Sequence, residues 1–270
     1  MPIALDNAQR TQMFITTWNV NSIRAREERL LAWLNEAMPD VVCLQETKVV
    51  EDNFPFDALT DLGYHAVTWG QKTYNGVAIL SRAPLEDIEI GMGDGVDDDQ
   101  ARLIAATVEG IRIISAYFPN GRTVEDEKYR YKQAWMDRLL AKLGSHDLET
   151  ELLVLAGDFN IVPDERDVNR VEEWTGSVLY NPEMSAYFQK FLDLGLVDTF
   201  RLHNEEAGLY SWWDYRMLGF PKNNGLRIDH VLASKALAGD SVSSRIERDM
   251  RKGQKPSDHT VVWAEFEDGR

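Results

Sequence analysis

The sequence predicts a layered α/β sandwich, and three observations lead to this fold class. Short apolar runs rich in β-branched residues recur along the chain at the length of strands. Several runs are apolar on both faces, as in Ile113, Ile114, Ala116 and Phe118, which indicates sheets that are covered on two sides. Segments with helical periodicity lie between these runs, and hairpins mixed with helices around doubly covered sheets are typical of such a sandwich.

Nine segments are predicted to be strands because each is short, apolar and rich in β-branched residues. They are residues 14–18, 41–45, 65–69, 77–80, 103–108, 111–118, 152–156, 228–233 and 260–266. Between two of them, Glu109-Gly110 resembles the two-residue turn of a β-hairpin. Three helices are predicted from apolar residues that repeat every three or four positions: one around Leu30 and Leu34, one across 131–143 and one across 182–194.

Length and composition indicate one globular domain. The chain has 270 residues, of which 44% are hydrophobic and 27% charged, and we expect a flexible tail over residues 1–12 before a single domain over 13–270. No apolar run approaches the roughly 18 residues of a membrane span, and the first residues lack the pattern of a signal peptide. The single cysteine, Cys43, excludes an internal disulfide and favours a reducing, cytoplasmic compartment. A monomer is the default expectation.

The net charge by itself argues against a nucleic-acid partner. Lys and Arg number 29 and Asp and Glu 45, which gives −16, and phosphates repel an anionic surface. A local basic face or bound divalent metal ions would overcome this repulsion. The segment from Lys222 to Lys255 carries eight basic and four acidic residues, and Arg24 lies in a second basic stretch. If the partner is a nucleic acid, we expect a local basic face to bind it, with Arg24 and Arg227 as candidate contacts.

Polar residues follow several of the predicted strands, at the point where each strand ends. Asn19, Glu46, Asn120 and the pair Asp158 and Asn160 are placed in this way. The ends of strands are held by a stiff sheet, so they are good positions for a functional site. The dipeptide at residues 258–259 instead comes just before an apolar run. It joins the others only if its strand runs antiparallel to theirs.

These residue types suit a hard divalent cation and the hydrolysis of a phosphoester. Carboxylate and amide oxygens match Mg²⁺ or Mn²⁺, and Glu46 and Asp258 fit the need for one or two carboxylate ligands. Asp158 with Asn160 could position a water, and His259 could act as a base or neutralise a phosphate oxygen. Each residue alone also has a simpler structural explanation: a turn, an exposed strand-end carboxylate or a local hydrogen bond.

Two longer segments are specific to one family. Residues 39–48 read PDVVCLQETK and residues 223–229 read NNGLRID. Shorter matching segments follow in order at residues 17–25, 75–81, 116–121, 157–160, 198–201, 210–216 and 255–259. On these segments, over about residues 13 to 267, the chain resembles the exonuclease III family of abasic-site endonucleases. The resemblance implies the four-layered DNase I-like α/β sandwich, in which two mixed, mainly antiparallel sheets pack between helices.

The resemblance also implies a role for each matching position. The metal site would be formed by Asn19, Glu46 and Asp258, with Asp158, Asn160 and His259 as further candidate ligands. Tyr117 and Asn120 would contact the scissile phosphate, and Asp229 would orient His259. Either Asp158 or His259 would take the proton of the attacking water, and Trp212 would wall a pocket for a base-less sugar. Asn21 departs from the aspartate of some relatives, and His230 stands where an apolar or aromatic residue is usual.

The predicted function is Mg²⁺-dependent cleavage of duplex DNA on the 5′ side of abasic sites, leaving a 3′-hydroxyl. Exonuclease action from the 3′ end and removal of 3′ blocking groups are additional expected activities. Two alternatives stay open at this point. One is a phosphoesterase of the same superfamily that acts on a non-DNA substrate, and the other is a module of the same fold that binds DNA without cutting it.

Overall fold

A computed structural model describes residues 12–96 and 98–267, and its centre is a pair of six-stranded sheets. The first sheet has the order β11-β12-β1-β2-β4-β3. Its strands are β1 (Gln12–Asn19), β2 (Val41–Gln45), β3 (His65–Trp69), β4 (Val77–Ser81), β11 (Ser241–Glu247) and β12 (Val261–Glu267). The second sheet has the order β5-β6-β7-β8-β10-β9. Its strands are β5 (Glu86–Ile90), β6 (Leu103–Val108), β7 (Ile111–Tyr117), β8 (Leu153–Asp158), β9 (Leu196–Asp198) and β10 (Asp229–Ser234).

The connections between the strands supply the outer helices. They are α1 (Ile23–Ala37), α2 (Phe56–Asp61), α3 (Glu127–Leu143), α4 (Val171–Trp174), α5 (Pro182–Asp193), α6 (Thr199–His203) and α7 (Lys235–Ala238). The start of α5 shows why helices begin where they do. The Asn181 side chain accepts hydrogen bonds from the backbone N–H groups of Glu183 and Met184, and Pro182 occupies the first turn, where no N–H is needed.

Three apolar cores separate four layers. The middle core lies between the sheets and joins residues such as Ile15 and Ile79 to Ile113 and Val154. The core that contains Leu34 packs α1 and α2 on the outer face of the first sheet. A third core packs α3 and α5 on the outer face of the second sheet. The pairs β1–β2 and β7–β8 are parallel and the other eight strand pairs are antiparallel. The predicted four-layered α/β sandwich is confirmed.

All nine predicted strands are present, and the structure adds three short or polar ones. The added strands are β5, β9 and β11. Both β5 and β11 lie at the edge of a sheet, where charged and polar residues limit pairing with other chains. The hairpin prediction is also confirmed, because Glu109 and Gly110 both have positive φ, as a type I′ turn requires.

The predicted tail, residues 1–12, lies outside the described residues except for Gln12, which begins β1. Within the described ranges, no helix is long and apolar enough to cross a membrane.

Candidate active site

The predicted site residues meet where parallel strands end. Asn19 is the last residue of β1 and Glu46 follows β2, while Tyr117 and Asp158 are the last residues of β7 and β8. Because β1–β2 and β7–β8 are parallel pairs, their carboxyl ends lie at the same edge of each sheet. The two sheets pack face to face, so all four side chains reach one cleft.

Two antiparallel strands complete this edge. Strand β12 runs antiparallel to β1, so the residues that precede it, Asp258 and His259, lie beside the end of β1. Strand β10 runs antiparallel to β8 and places Asp229 opposite Asp158. The antiparallel direction expected for the strand after His259 is therefore confirmed.

A buried asparagine holds the two sheets together at the site. The Nδ2 atom of Asn19 donates to Glu46 Oε1 and to Asp158 Oδ2, at 2.9 Å in each case. Glu46 follows a strand of the first sheet and Asp158 ends a strand of the second, so both amide hydrogens fix the separation of the carboxylates. Tyr117 spans the same gap, because its hydroxyl donates to Glu46 Oε1 at 2.9 Å.

Histidine lies between two aspartates. His259 Nδ1 is 2.9 Å from Asp229 Oδ2, and its Nε2 is 3.7 Å from Asp158 Oδ2. Burial alone would lower the pKa of His259, but the Asp229 and Asp158 carboxylates outweigh it and raise the pKa to about 10. Asp229 thus keeps the imidazole protonated and directs Nε2 at the cleft. This arrangement favours His259 as a donor to a phosphate oxygen over a metal ligand.

Burial has the opposite effect on Asp158. It raises the pKa of this carboxyl to about 7, against the lowering influence of the His259 imidazolium. The site therefore contains a protonated imidazole and a carboxylate that is more basic than usual. In proteins, a proton donor beside a basic carboxylate is an arrangement suited to acid–base catalysis.

Lys48 and Asn21 connect Glu46 to Asp258. Lys48 Nζ lies 2.7 Å from Glu46 Oε2 and donates to Asn21 Oδ1 at 2.6 Å, and Asn21 Nδ2 donates to Asp258 Oδ1 at 2.9 Å. Burial would raise the pKa of Glu46, but the Lys48 ammonium, the Asn19 amide and His259 together outweigh it and lower the pKa. Sequence reasoning missed Lys48, although it is the last residue of the family-specific 39–48 segment.

The ligand atoms of this site could hold a metal ion. Glu46, Asp158 and His259 each offer one ligand atom, and these atoms lie within 4.8 Å of one another. Carboxylate oxygens are the donors that hard divalent cations prefer, so Glu46 and Asp158 fit such an ion, while a protonated His259 would not ligate it. Asp258 is not part of this cluster: its two oxygens accept from Asn21 and from Trp212 Nε1, the latter at 3.1 Å.

A second amide pair extends the site along the second sheet. Asn120 Nδ2 donates to Asn160 Oδ1 at 2.9 Å, and the backbone N–H of Asn160 donates to Asp158 Oδ1 at 2.9 Å. Gly157 is required before these residues, because a Cβ there would lie 1.8 Å from the Ala116 carbonyl oxygen. The turn at residues 157–160 is thus both a structural turn and a part of the cleft.

The backbone is strained at the same place. Asn21, Glu46, Lys48 and Asn160 all have φ between +46° and +57°. Asparagine tolerates this region, but Glu46 and Lys48 do so only because surrounding contacts hold them. Strain of this kind collects at functional sites.

The two adjacent tryptophans are in different environments. Trp213 is buried, and its Nε1 donates to Asn223 Oδ1 at 3.1 Å, so it is a core residue. Trp212 is partly exposed, packs edge-on against Trp174 and donates to Asp258. Its role in a sugar pocket stays a prediction. The loop that follows exposes Met217 and Leu218, which are 83% and 64% accessible.

Arg227 is not a DNA contact, and that prediction was wrong. The side chain is fully buried: its guanidinium donates to Asp167 at 2.6 Å and to Asp198 at 2.8 Å. Arg201 donates to Asp167 as well, and the pKa of Asp167 is lowered although burial acts to raise it. The basic count of the 222–255 segment therefore overstates its surface charge. Arg24 is exposed at the start of α1, and its contact with DNA stays a prediction.

Arg26, which belongs to the basic stretch around Arg24, links α1 to the site loops. Its Nη1 donates to the Asn21 carbonyl at 2.7 Å, and its Nη2 donates to the Tyr215 hydroxyl at 2.7 Å. Tyr215 also donates to the Pro256 carbonyl. These bonds place the exposed 215–218 loop beside the segment that leads to Asp258. The sequence offered no signal for this contact.

Comparisons with known proteins show what the chain is similar to. Residues 16–259 match the Endonuclease/Exonuclease/phosphatase family. The exodeoxyribonuclease III of Haemophilus influenzae is 38% identical, covering 94% of this chain and all of that protein. A 3′ phosphatase from Neisseria, solved with a product DNA hairpin, is 42% identical with a TM-score of 0.92, covering 94% of this chain and 99% of that one. An AP endonuclease from Archaeoglobus fulgidus is 37% identical with a TM-score of 0.91 and the same coverage.

Proposed function

The chain belongs to the endonuclease/exonuclease/phosphatase family, and from this premise we propose that it is a DNA-repair phosphodiesterase of the exodeoxyribonuclease III type. It is a nuclease, and it cuts the backbone of duplex DNA 5′ to an abasic site to leave a 3′-hydroxyl. Removal of nucleotides and blocking groups from 3′ ends belongs to the same proposal, since relatives are named as a 3′ phosphatase and an exodeoxyribonuclease.

One observation carries the proposal: Asp229, His259 and Asp158 form a row that faces Glu46 across the cleft. His259 Nε2 is 3.7 Å from Asp158 Oδ2. The side-chain amide of Asn19 donates one hydrogen bond to Asp158 and one to Glu46. A phosphate group placed here meets a proton donor on one side and a basic carboxylate beside it. The arrangement is the one that hydrolysis of a phosphodiester by water requires.

The reaction follows from these positions. Asp158 accepts the proton of the attacking water, since its raised pKa makes it more basic than an ordinary carboxylate and His259 is already protonated. His259 and the Asn120 amide donate to non-bridging oxygens of the phosphate and stabilise the charge that develops there. The Asn160 backbone N–H holds Asp158 in the orientation that faces the water.

A divalent cation fits beside Glu46. Glu46 would hold Mg²⁺ or Mn²⁺, with Asn19, Asp158 and Asp258 as further candidate ligands, and such an ion neutralises phosphate charge when bound. The Lys48 ammonium lies against the same carboxylate and contributes a fixed positive charge. Local cations of this kind allow a chain of net charge −16 to bind a polyanion.

The abasic-site preference is supported by the loop after Trp212. Met217 and Leu218 are exposed apolar side chains, and Tyr215 is tied to the site segment through Arg26. Apolar side chains at this position could fill the gap left in a duplex by a missing base. A sugar without a base also leaves the stack at little energetic expense, because it has no pairing to lose.

Cleavage of an end-labelled abasic duplex, compared with an intact recessed duplex, tests the proposal. We expect Mg²⁺-dependent incision 5′ to the abasic site and slower loss of nucleotides from the recessed end. A soluble phosphomonoester is the control for a non-DNA phosphoesterase, and tight abasic-DNA binding without product would indicate a binding module. In Glu46→Gln, the incision rate should fall on the order of 100-fold. A wild-type rate in this variant would refute the assigned site.

A monomer in a reducing, cytoplasmic compartment is the final part of the proposal. Cys43 is buried, and burial raises the pKa of its thiol to about 12, so it is unreactive. Light scattering after gel filtration tests the oligomeric state, and cell fractionation tests the compartment. A dimer mass, or recovery outside the cytoplasm, would contradict this part alone.

A further inference from the structure

Lys132 is buried below the site and has an unusual set of partners. The side chain has no measurable exposure and lies on the buried face of α3, with Tyr129 and Met136. Its Nζ donates to three backbone carbonyl oxygens: to Asn160 O and Val178 O at 2.7 Å, and to Asn120 O at 3.4 Å. Across the described ranges, no carboxylate is in ion-pair contact with this ammonium.

The three carbonyls belong to three separate loops. Asn120 follows β7, Asn160 follows β8, and Val178 lies in the segment that leads to α5. Burial lowers the pKa of Lys132 to about 7. In its ammonium form the group has three N–H donors, so each loop receives one hydrogen bond. Two of these loops carry the amides that contact each other at 2.9 Å in the cleft.

Packing alone does not explain a charged group at this position. An apolar side chain of similar volume would fill the space without the desolvation that a buried ammonium suffers. The stem of Lys132 is closely packed too: a Cβ on Gly121 would lie 3.4 Å from Lys132 Cδ and 3.2 Å from the Tyr129 ring. The loop after Asn120 is thus shaped around this side chain.

We infer that Lys132 is a positioning residue: its three hydrogen bonds hold the loops of Asn120 and Asn160 at the separation that the reaction needs. The inference rests on the proposed function, in which these two residues bind the phosphate and orient Asp158. A shift of about 1 Å in reacting groups can lower a rate on the order of 100-fold. Supporting residues of this type commonly alter activity 10- to 100-fold, roughly, when replaced.

Lys132→Met and Lys132→Arg test the inference, with Lys190→Met as the matched control. Lys190 is an exposed lysine on α5, far along the chain from the site residues. With the abasic duplex and Mg²⁺, we expect kcat of Lys132→Met to fall about 10- to 100-fold while KM changes less than about twofold. Lys132→Arg keeps the charge and several donors, so it should recover part of kcat. Lys190→Met should match the wild type.

A second readout requires no DNA. In the wild type, NMR relaxation should show the side-chain amides of Asn120 and Asn160 to be nearly as rigid as ordered backbone, for which order parameters are about 0.85. In Lys132→Met, both amide signals should shift or broaden while the Trp213 indole signal, from the core, stays in place. If wild-type protein cuts no abasic DNA, the proposed function fails, yet this measurement still decides the positioning role.

Three results would overturn the inference. One is a wild-type kcat in Lys132→Met, and another is a rise in KM with kcat unchanged, which would indicate substrate binding instead. The third is mobility of the Asn120 and Asn160 amides in the wild type, which decides the question even if Lys132→Met does not fold.

Discussion

Replacing His230 with phenylalanine should remove part of the acid sensitivity of the folded protein. His230 is fully buried, its Nδ1 lies 3.0 Å from Arg227 Nη1 and its Nε2 lies 3.1 Å from the Ile161 carbonyl. The guanidinium can only donate, so Nδ1 must accept, and Nε2 carries the single ring proton. A second proton on Nδ1 would point at Arg227. Burial and the Arg227 charge accordingly lower the pKa of His230 to about 4.

The size of the effect follows from this pKa. An unfolded histidine titrates near 6.5, so between pH 6.5 and pH 4 the unfolded chain binds a proton that the folded chain does not. Stability from this residue is therefore complete above pH 6.5 and is lost as the pH falls towards 4. The total is about 3 kcal/mol, of which about 1 kcal/mol is lost between pH 7 and pH 5.5.

Urea unfolding of wild type and His230→Phe at several pH values measures this loss. Phenylalanine fits beside Phe159 and Phe188, whose rings lie 5.0 and 4.8 Å from the His230 ring. Measurements stop near pH 5.5, because the isoelectric point of about 4.7 limits solubility below it. The difference in unfolding free energy between the two proteins should change by about 1 kcal/mol over this range. His65→Gln, at an exposed position, is measured over the same range as the control for replacing a histidine. Parallel curves for wild type and His230→Phe would refute the reasoning.

Three further predictions concern the site and its support. Arg227→Met should destabilise the fold by about 3–5 kcal/mol, since Asp167 and Asp198 lose their shared cation. The dependence of DNA affinity on salt concentration should stay unchanged in this variant. A weaker salt dependence at unchanged stability would restore Arg227 as a DNA contact. Trp212→Phe removes the hydrogen bond to Asp258 and should slow abasic incision about 10-fold. An unchanged single-turnover rate would show that this hydrogen bond does not support incision. Because Asp158 must be unprotonated to act as the base, the wild-type incision rate should rise with pH up to about 7; a rate that falls over this range would contradict the assignment.

The position of the site was accessible from the sequence because it depends on local features. Each apolar run that ends in Asn19, Glu46 or Asp158 marks a strand and its terminal side chain at once. The direction of β12 followed from the requirement that Asp258 reach the others. Such inferences need only the period of the strand and the order of the elements.

The roles of residues whose partners are far away in the sequence could not be predicted from the sequence. Arg227 was assigned to DNA because the sequence shows its charge but not Asp167 and Asp198, which lie 60 and 29 positions away. Lys132 was given no role from the sequence, since its partners are backbone carbonyls, which no sequence pattern displays. The edge strands β5 and β11 were missed for a related reason: their polar composition reflects their exposure at the sheet edge.

The geometry of the cleft also depends on the interface between the two sheets. An apolar interface is non-directional, so the middle core alone would not fix one sheet against the other. Directional bonds cross this core beneath the site: Gln45 Nε2 donates to Ser115 Oγ at 3.3 Å, and Ser115 Oγ donates to the Leu44 carbonyl at 3.3 Å. Gln45 directly precedes Glu46, and Ser115 lies two residues before Tyr117, the residues that meet at 2.9 Å. These buried hydrogen bonds therefore fix the relative position of the two sheets. They hold the carboxylates of both sheets at the separation that one phosphate group needs.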